Sequence, residues 1–218
     1  MKRRDAQQWA TILRSCGVAP NTAKTWGPVF ADEIHEWTFS KGDADIADWL
    51  PEILHESANL ERMVESLNYK ANVLVPLFGA HRINEAQAQA FGRIDGKQAA
   101  NERAIANIVY GGSWGVQKLG NVQADDGWNF RGRSPIQITG RSNYQCIGDL
   151  IGQDLVGVPD LLAQPRYAIG ACIAWWEDRI PDSLLGETTS IRRRVNGGAI
   201  GLAEVQRLTK LARVALLT

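Results

Sequence analysis

Only three cysteines, Cys16, Cys146 and Cys172, occur in 218 residues, an odd count without the close pairing of a disulfide framework or a zinc knuckle. They read as buried thiols. Histidine is as scarce, with His35, His55 and His81 alone. Neither sign of charge is in excess: twenty-four basic side chains balance twenty-four acidic ones, so no global field draws the chain to nucleic acid or anionic lipid. The basic start MKRRDAQQWATILRSCGV is interrupted by Asp5, Gln7, Gln8 and Arg14 where a signal peptide would be continuously apolar. With no membrane span evident either, the expectation is cytosolic synthesis without stable membrane insertion. No repeat, low-complexity tract or linker stands out. What the chain does have is 44% hydrophobic residues and eight tryptophans, enough for one large domain or two small lobes around real cores.

Helical spacing dominates. Trp9, Ile12, Leu13 and Cys16 recur on one face and stop at Gly17. After the turn-rich VAPNT, TWGPVFADEIHEWTF is expected to be helical. Ile46, Trp49, Leu50, Ile53 and Leu54 form a further stripe with Glu56 at its border. EAQAQAFGRID and QAANERAIANIVYG suggest two short helices, followed by a glycine-rich loop from Gly111 to Gly127. GWNFRGRSPIQITGRSNY reads as a loop with one short extended piece, Gln137 and Thr139 on one side and Ile136 and Ile138 on the other. Asn143–Gly152, Arg166–Arg179 and Leu202–Leu217 complete a mainly α count. The last segment pairs an apolar face (Leu202, Val205, Leu208, Leu211, Ala212, Ala215, Leu216) with Arg207, Lys210 and Arg213. Such a face suits core packing better than membrane disturbance.

Several motifs fail on inspection. His55-Glu56 begins like the zinc motif H-E-x-x-H, but position 59 is Asn. Gly111-Gly112-Ser113-Trp114-Gly115 fits the spacing of a nucleophile elbow, yet a helix precedes it and no histidine follows. Asp43, Asp45 and Asp48 lack the glycine and glutamate of a calcium loop, and acids at a helix N-terminus explain them. Arg192-Arg193-Arg194 reads as a solvated helix face, unless an arginine there lines a polar cleft. No metal site is expected.

What survives is a pair of glutamates. In ILHESANLERMVESLNY, one continuous helix would set Glu56 and Glu65 about 180° apart around the axis and roughly 13.5 Å apart along it. The apolar stripe ends near Ser57 or Ala58, so the helix should stop there and the chain should turn back, letting Glu65 face Glu56. Paired carboxylates are what glycosidic cleavage needs: one protonates the leaving oxygen, the other activates water or attacks the sugar.

The wider pattern is more specific. HES, then Glu65-Ser66-Leu67-Asn68-Tyr69, then WNFRGRSPIQITGRSNY over 128–144, then Val195-Asn196-Gly197-Gly198 resembles glycoside hydrolase family 19, and within it the bacteriophage endolysins. The resemblance runs in order from about residue 42 to the C-terminus. It implies a lysozyme-like helical fold, residues 1–218 forming a single catalytic domain of two lobes around a substrate cleft, with at most a small β element and no separate wall-binding module. It implies Glu56 as general acid, Glu65 as general base and Thr139 as the hydroxyl holding the attacking water, in an inverting reaction. His55, Arg131, Arg133, Gln137, Asn143 and Asn196 would contact the sugar chain or surround the acids. Ser134 stands where the block often has glycine, and Ser66 where related sequences often have asparagine.

The expected activity is hydrolysis of β-1,4 bonds in peptidoglycan by a monomer without metal or cofactor, leading to host cell lysis after release through a membrane lesion. The partner is the glycan strand, not nucleic acid. A chitinase, or a sugar-binding relative without turnover, is the alternative. Glu56, at a half-buried helix end, should hold its proton more readily than Glu65 on a polar loop. Trp49 belongs in the core; Trp114 and Trp128 are candidates to stack on sugars.

Overall fold

The computed structural model describes residues 2–217. In chain order its helices are α1 (Ala6–Ser15), α2 (Pro20–Glu33), α3 (Asp43–Glu56), α4 (Ala71–Phe78), α5 (Glu85–Phe91), α6 (Glu102–Val109), α7 (Gly112–Leu119), α8 (Asp126–Asn129), α9 (Arg141–Ile151), α10 (Pro165–Arg179), α11 (Thr188–Asn196) and α12 (Leu202–Leu217). Among the described residues the only β elements are isolated bridges, such as Val64 with Arg133 and Arg133 with Ile138. The chain divides into two compact units. Unit 1 holds residues 1–63, 134–136 and 161–218; unit 2 holds 64–133 and 137–160.

Unit 1 is built on α3. Asp5 and Gln8 close a capping box that starts α1, satisfying amide donors a helix end leaves free. α1 lies so close on α2 that a Cβ at Gly27 would sit 2.4 Å from the Ala6 carbonyl oxygen. Only glycine permits that approach. Trp9, Phe30 and Trp49 pack ring to ring beneath them, with Ile46, Leu50 and Ile53 fully buried. Trp49 is thus core. α12 covers the same helix with Val205, Leu208, Ala212 and Leu216, so the amphipathic C-terminal face is a packing face.

Unit 2 is smaller, its core formed by Leu67, Leu74, Ile83, Ala88, Ile105, Ala106 and Val109. α8 lies against α6 where a Cβ at Gly127 would meet the Ala106 oxygen at 2.4 Å. Asp126, fully buried, accepts the Val122 and Gln123 amides and a two-pronged ion pair from Arg141. Despite burial, those donors hold its carboxyl below the usual range.

Several expectations need correction. The stretch 111–127 is not one glycine-rich loop: it contains α7 and the start of α8, so Trp114 and Trp128 lie on helices. α2 begins at Pro20, inside the supposed turn, and ends at Glu33 before the His35–Phe39 stretch; proline suits a first helical position. α4 gave no warning. Cys16 and Cys172 are buried, and burial pushes their thiols up to about 11 and about 12, but Cys146 is exposed. The segment 133–138 is a tight turn, not an extended piece: Arg133 and Ile138 exchange backbone bonds of 3.1 and 2.8 Å, with Ser134 and Gln137 at φ +69° and +54°. Serine there holds a left-handed backbone that favours glycine, which is what the related FRGRG block would supply.

Candidate functional site

In unit 1, α3 ends at Glu56 because Ser57 closes it. The Ser57 hydroxyl donates to the Ile53 carbonyl at 2.6 Å and accepts the Leu60 amide at 2.8 Å. Ala58, Asn59 and Leu60 then follow at φ +50°, +61° and +69°. Three left-handed residues in a row, none of them glycine, store strain. The expected break after Ser57 is therefore present, and Glu65 falls in unit 2.

Glu56 keeps 25% of its side chain exposed and accepts a charged hydrogen bond from Arg192 on α11. The other prong of the same guanidinium goes to Glu52, one turn earlier on α3, and its Nε donates to the Ile200 carbonyl at 2.8 Å. Arg192 and Glu52 are each 1% exposed, and Glu52 Oε1 has no partner. Burial, reinforced by the charges of Glu56 and Asp48, pushes the Glu52 carboxyl up to about 7 against the pull of Arg192. The arginine run is thus split: Arg193 and Arg194 are solvated as expected, whereas Arg192 is an interior link between two acids.

His55 packs on the Gly201 backbone, where a Cβ would come within 2.1 Å of its Nε2. Asn196 braces its own loop, donating to the Ile200 carbonyl at 3.1 Å and accepting the Gly198 amide at 2.9 Å.

In unit 2, the Glu65 amide donates to the Gly132 carbonyl at 2.8 Å. Its carboxylate accepts the Tyr110 hydroxyl at 2.5 Å and the Gly132 amide at 3.2 Å. Burial and the adjacent Glu65 charge push the Tyr110 hydroxyl far above its ordinary value, so it stays a donor. A Cβ at Gly132 would lie 3.2 Å from Glu65 Oε2 and 2.6 Å from Gln137 Oε1; glycine here lets those two side chains converge. Thr139 donates to the Gln137 carbonyl at 3.1 Å, and Asn143 to the Thr139 carbonyl at 2.7 Å. The structure therefore gathers Glu65, Gln137, Thr139 and Asn143 around one turn.

The two arginines of that block differ. Arg131 lies over the Trp128 ring at 3.8 Å. Arg133 is buried and donates to the Asn129 carbonyl, the Tyr144 hydroxyl and Asp160, which makes it an internal brace of the turn rather than a sugar contact. Tyr110 and Glu52 were not anticipated from sequence. Glu52, four residues before Glu56 on an α-helix, was open to notice; nothing local marks Tyr110. Among the described residues no cluster of three His, Cys, Asp or Glu side chains could hold a metal ion.

Comparisons with known proteins agree with this picture. Residues 86–181 match the sequence profile of glycoside hydrolase family 19, Chitinase class I. A glycosyl hydrolase family 19 domain-containing protein of Haemophilus influenzae is 29% identical over 174 residues, covering 79% of this chain and 78% of that protein. Chitinase 8 of Oryza sativa subsp. japonica is 33% identical over 106 residues, covering 46% of this chain but only 40% of the rice protein. Chitinase C of Streptomyces griseus has the same fold, with a TM-score of 0.54 at 15% identity over 98% of this chain and 92% of the other. The shared fold is mainly helical, and the likeness to glycoside hydrolase family 19 lies over residues 86–181, less than half of the chain.

Proposed function

We propose that this protein is a glycosidase of family 19, a phage-type endolysin that hydrolyses β-1,4 bonds of peptidoglycan by single displacement, with residues 1–218 forming a single catalytic domain. Glu56 gives its proton to the leaving oxygen, Glu65 takes one from water, and the Thr139 hydroxyl steadies that water. Gln137, Asn143, Asn196, His55 and Arg131 line the sugar path, while Arg133 supports the turn beneath it. No metal or cofactor takes part. The observation that carries the reading is that each carboxylate is anchored by its own network: Glu56 by Arg192 at the end of α3, Glu65 by Tyr110 and the Gly132 amide within the FRGR block. General acid–base work needs carboxylates so held. The enzyme would be made in the host cytoplasm, act as a monomer, and reach the wall through a separate membrane lesion. That biological setting is supported by the likeness of the FRGR-PIQ-TG-NY block to phage lysins. Chitin is the competing substrate, since chitinases share the family profile.

Digestion of peptidoglycan, followed by borohydride reduction and mass spectrometry, tests the substrate. Reduced muramic acid ends are expected, meaning muramidase cleavage; reduced glucosamine ends would make it a glucosaminidase. Inert peptidoglycan alongside rapid cleavage of chitin oligomers would transfer the assignment to chitinase.

The stereochemistry is a separate prediction. Inversion needs carboxylates about 6.5–9.5 Å apart with water between them, so the first product from a β-linked oligosaccharide should be the α-anomer. Proton NMR before mutarotation reads it directly. Initial β-anomer would remove Glu65 from the role of water-activating base.

A further inference from the structure

Two arginines of unit 2 are seated on tryptophan rings and connect to Glu65 by separate routes. The Arg82 guanidinium lies 3.7 Å from the Trp114 ring centre and 5.6 Å from that of Tyr110, the residue whose hydroxyl holds Glu65. Arg131 lies 3.8 Å from the Trp128 ring centre, and its neighbour Gly132 supplies the other hydrogen bond to Glu65. One donor of each is fixed by a backbone carbonyl: Arg82 Nε by Val109 at 2.7 Å, Arg131 Nη1 by Trp128 at 2.8 Å. Among the described residues neither forms an ion pair, whereas Arg93, Arg103, Arg133 and Arg141 of the same unit all do.

Burial works against both charges more than the acids at a distance support them, so keeping them without a direct ion pair costs stability. Stacking orients a guanidinium plane and leaves the remaining prongs of its fork for an outside acceptor. A planar fork matches a carboxylate two bonds at a time. Chitin is uncharged and offers no such group. Peptidoglycan strands carry carboxylates on their stem peptides, or on the lactyl ether once the stem is removed.

We propose that Arg82 and Arg131 are specificity residues that receive carboxylates appended to the glycan strand, so that the site favours peptidoglycan over neutral N-acetylglucosamine polymers. The proposal rests on the glycan-hydrolase reading of Glu65. It differs from a role confined to keeping Glu65 ionised, which would need positive charge but no free fork and would be indifferent to the substrate's charge.

The test measures kcat/KM of the full chain on four substrates: intact peptidoglycan, the same material with its carboxylates amidated, strands stripped of stem peptides by an amidase, and chitin oligomers. The intact or stripped form should be preferred over the amidated form by about tenfold, the scale of one charged hydrogen-bond pair. A preference shown by intact strands and lost on stripping identifies the stem carboxylates as the ligand; one shown by the stripped strands alone identifies the lactyl carboxylate. Arg82→Gln and Arg131→Gln should each lower the preference several-fold, as should high salt. The lysine variants, with charge but no fork, should fall between. The wild-type comparison of intact with amidated substrate holds even if a variant misfolds. Equal wild-type rates on charged and amidated strands overturn the proposal, and so does an equal loss on both forms in folded variants. Failure of the wild type to cleave any of the four overturns the hydrolase reading, and this inference with it.

Discussion

Glu56→Gln and Glu65→Gln should each fold normally and lose turnover by about 10²–10⁴-fold, the usual contribution of a general acid or base. The structure explains why glutamine is the right substitution. At position 56 an amide oxygen can still accept from Arg192, and at position 65 it can still accept the shorter bond, from the Tyr110 hydroxyl, giving up only the longer one from the Gly132 amide, which goes to the other carboxylate oxygen. What glutamine removes is the proton that Glu56 must give and the basicity that Glu65 must supply. Circular dichroism alongside clearing of peptidoglycan suspensions would separate folding from catalysis. Near-wild-type lysis by either folded variant would exclude the acid–base assignment.

The helical fold was legible because its stripes are strong. Ile46, Trp49, Leu50, Ile53 and Leu54 are all buried on α3, and the stripe ends where the helix does. The break between Glu56 and Glu65 could be read from loss of periodicity, but its means could not: Ser57 is an ordinary serine until its hydroxyl is seen bridging Ile53 and Leu60. Glycine misled at 111–127, where Gly112 and Gly115 sit inside a helix. There Gly115 is needed because a Cβ would meet the Tyr110 oxygen at 2.1 Å, a packing demand invisible in sequence. The candidate site was partly legible through the WNFRGRSPIQITGRSNY block. Tyr110 was not, because it stands 45 residues from Glu65 and only folding brings the two together. Arg192 was misread for a related reason: three consecutive arginines look solvated, yet successive helical residues point about 100° apart, and one of them turns inward.

Loss of that inward arginine should be costly to unit 1. Arg192→Met leaves Glu52 and Glu56 without their shared donor, and removing one partner of a buried ion pair typically costs about 3–5 kcal/mol. The cost should depend on pH through Glu52. Its carboxyl is raised from an ordinary value near 4.5 to about 7 in the folded protein, so folding favours its protonated form. The sign follows from linkage: this group's contribution is fully present below about pH 4.5, declines as the unfolded chain releases the proton, and is lost as pH passes through about 7. Glu52→Gln, which keeps an acceptor for Arg192 but cannot ionise, should therefore flatten the fall in stability between those limits. Arg192→Met should be more damaging at pH 8, where two uncompensated carboxylates repel, than at pH 5, where Glu52 takes up a proton. Urea unfolding of the three proteins at both pH values would decide. If Arg192→Met costs less than about 1 kcal/mol at pH 8, against the several expected for a buried pair, Glu52 and Glu56 are not held by charge. If Glu52→Gln leaves the pH dependence unchanged, the proton sits elsewhere, and Asp48, whose charge also acts on Glu52, becomes the next residue to replace.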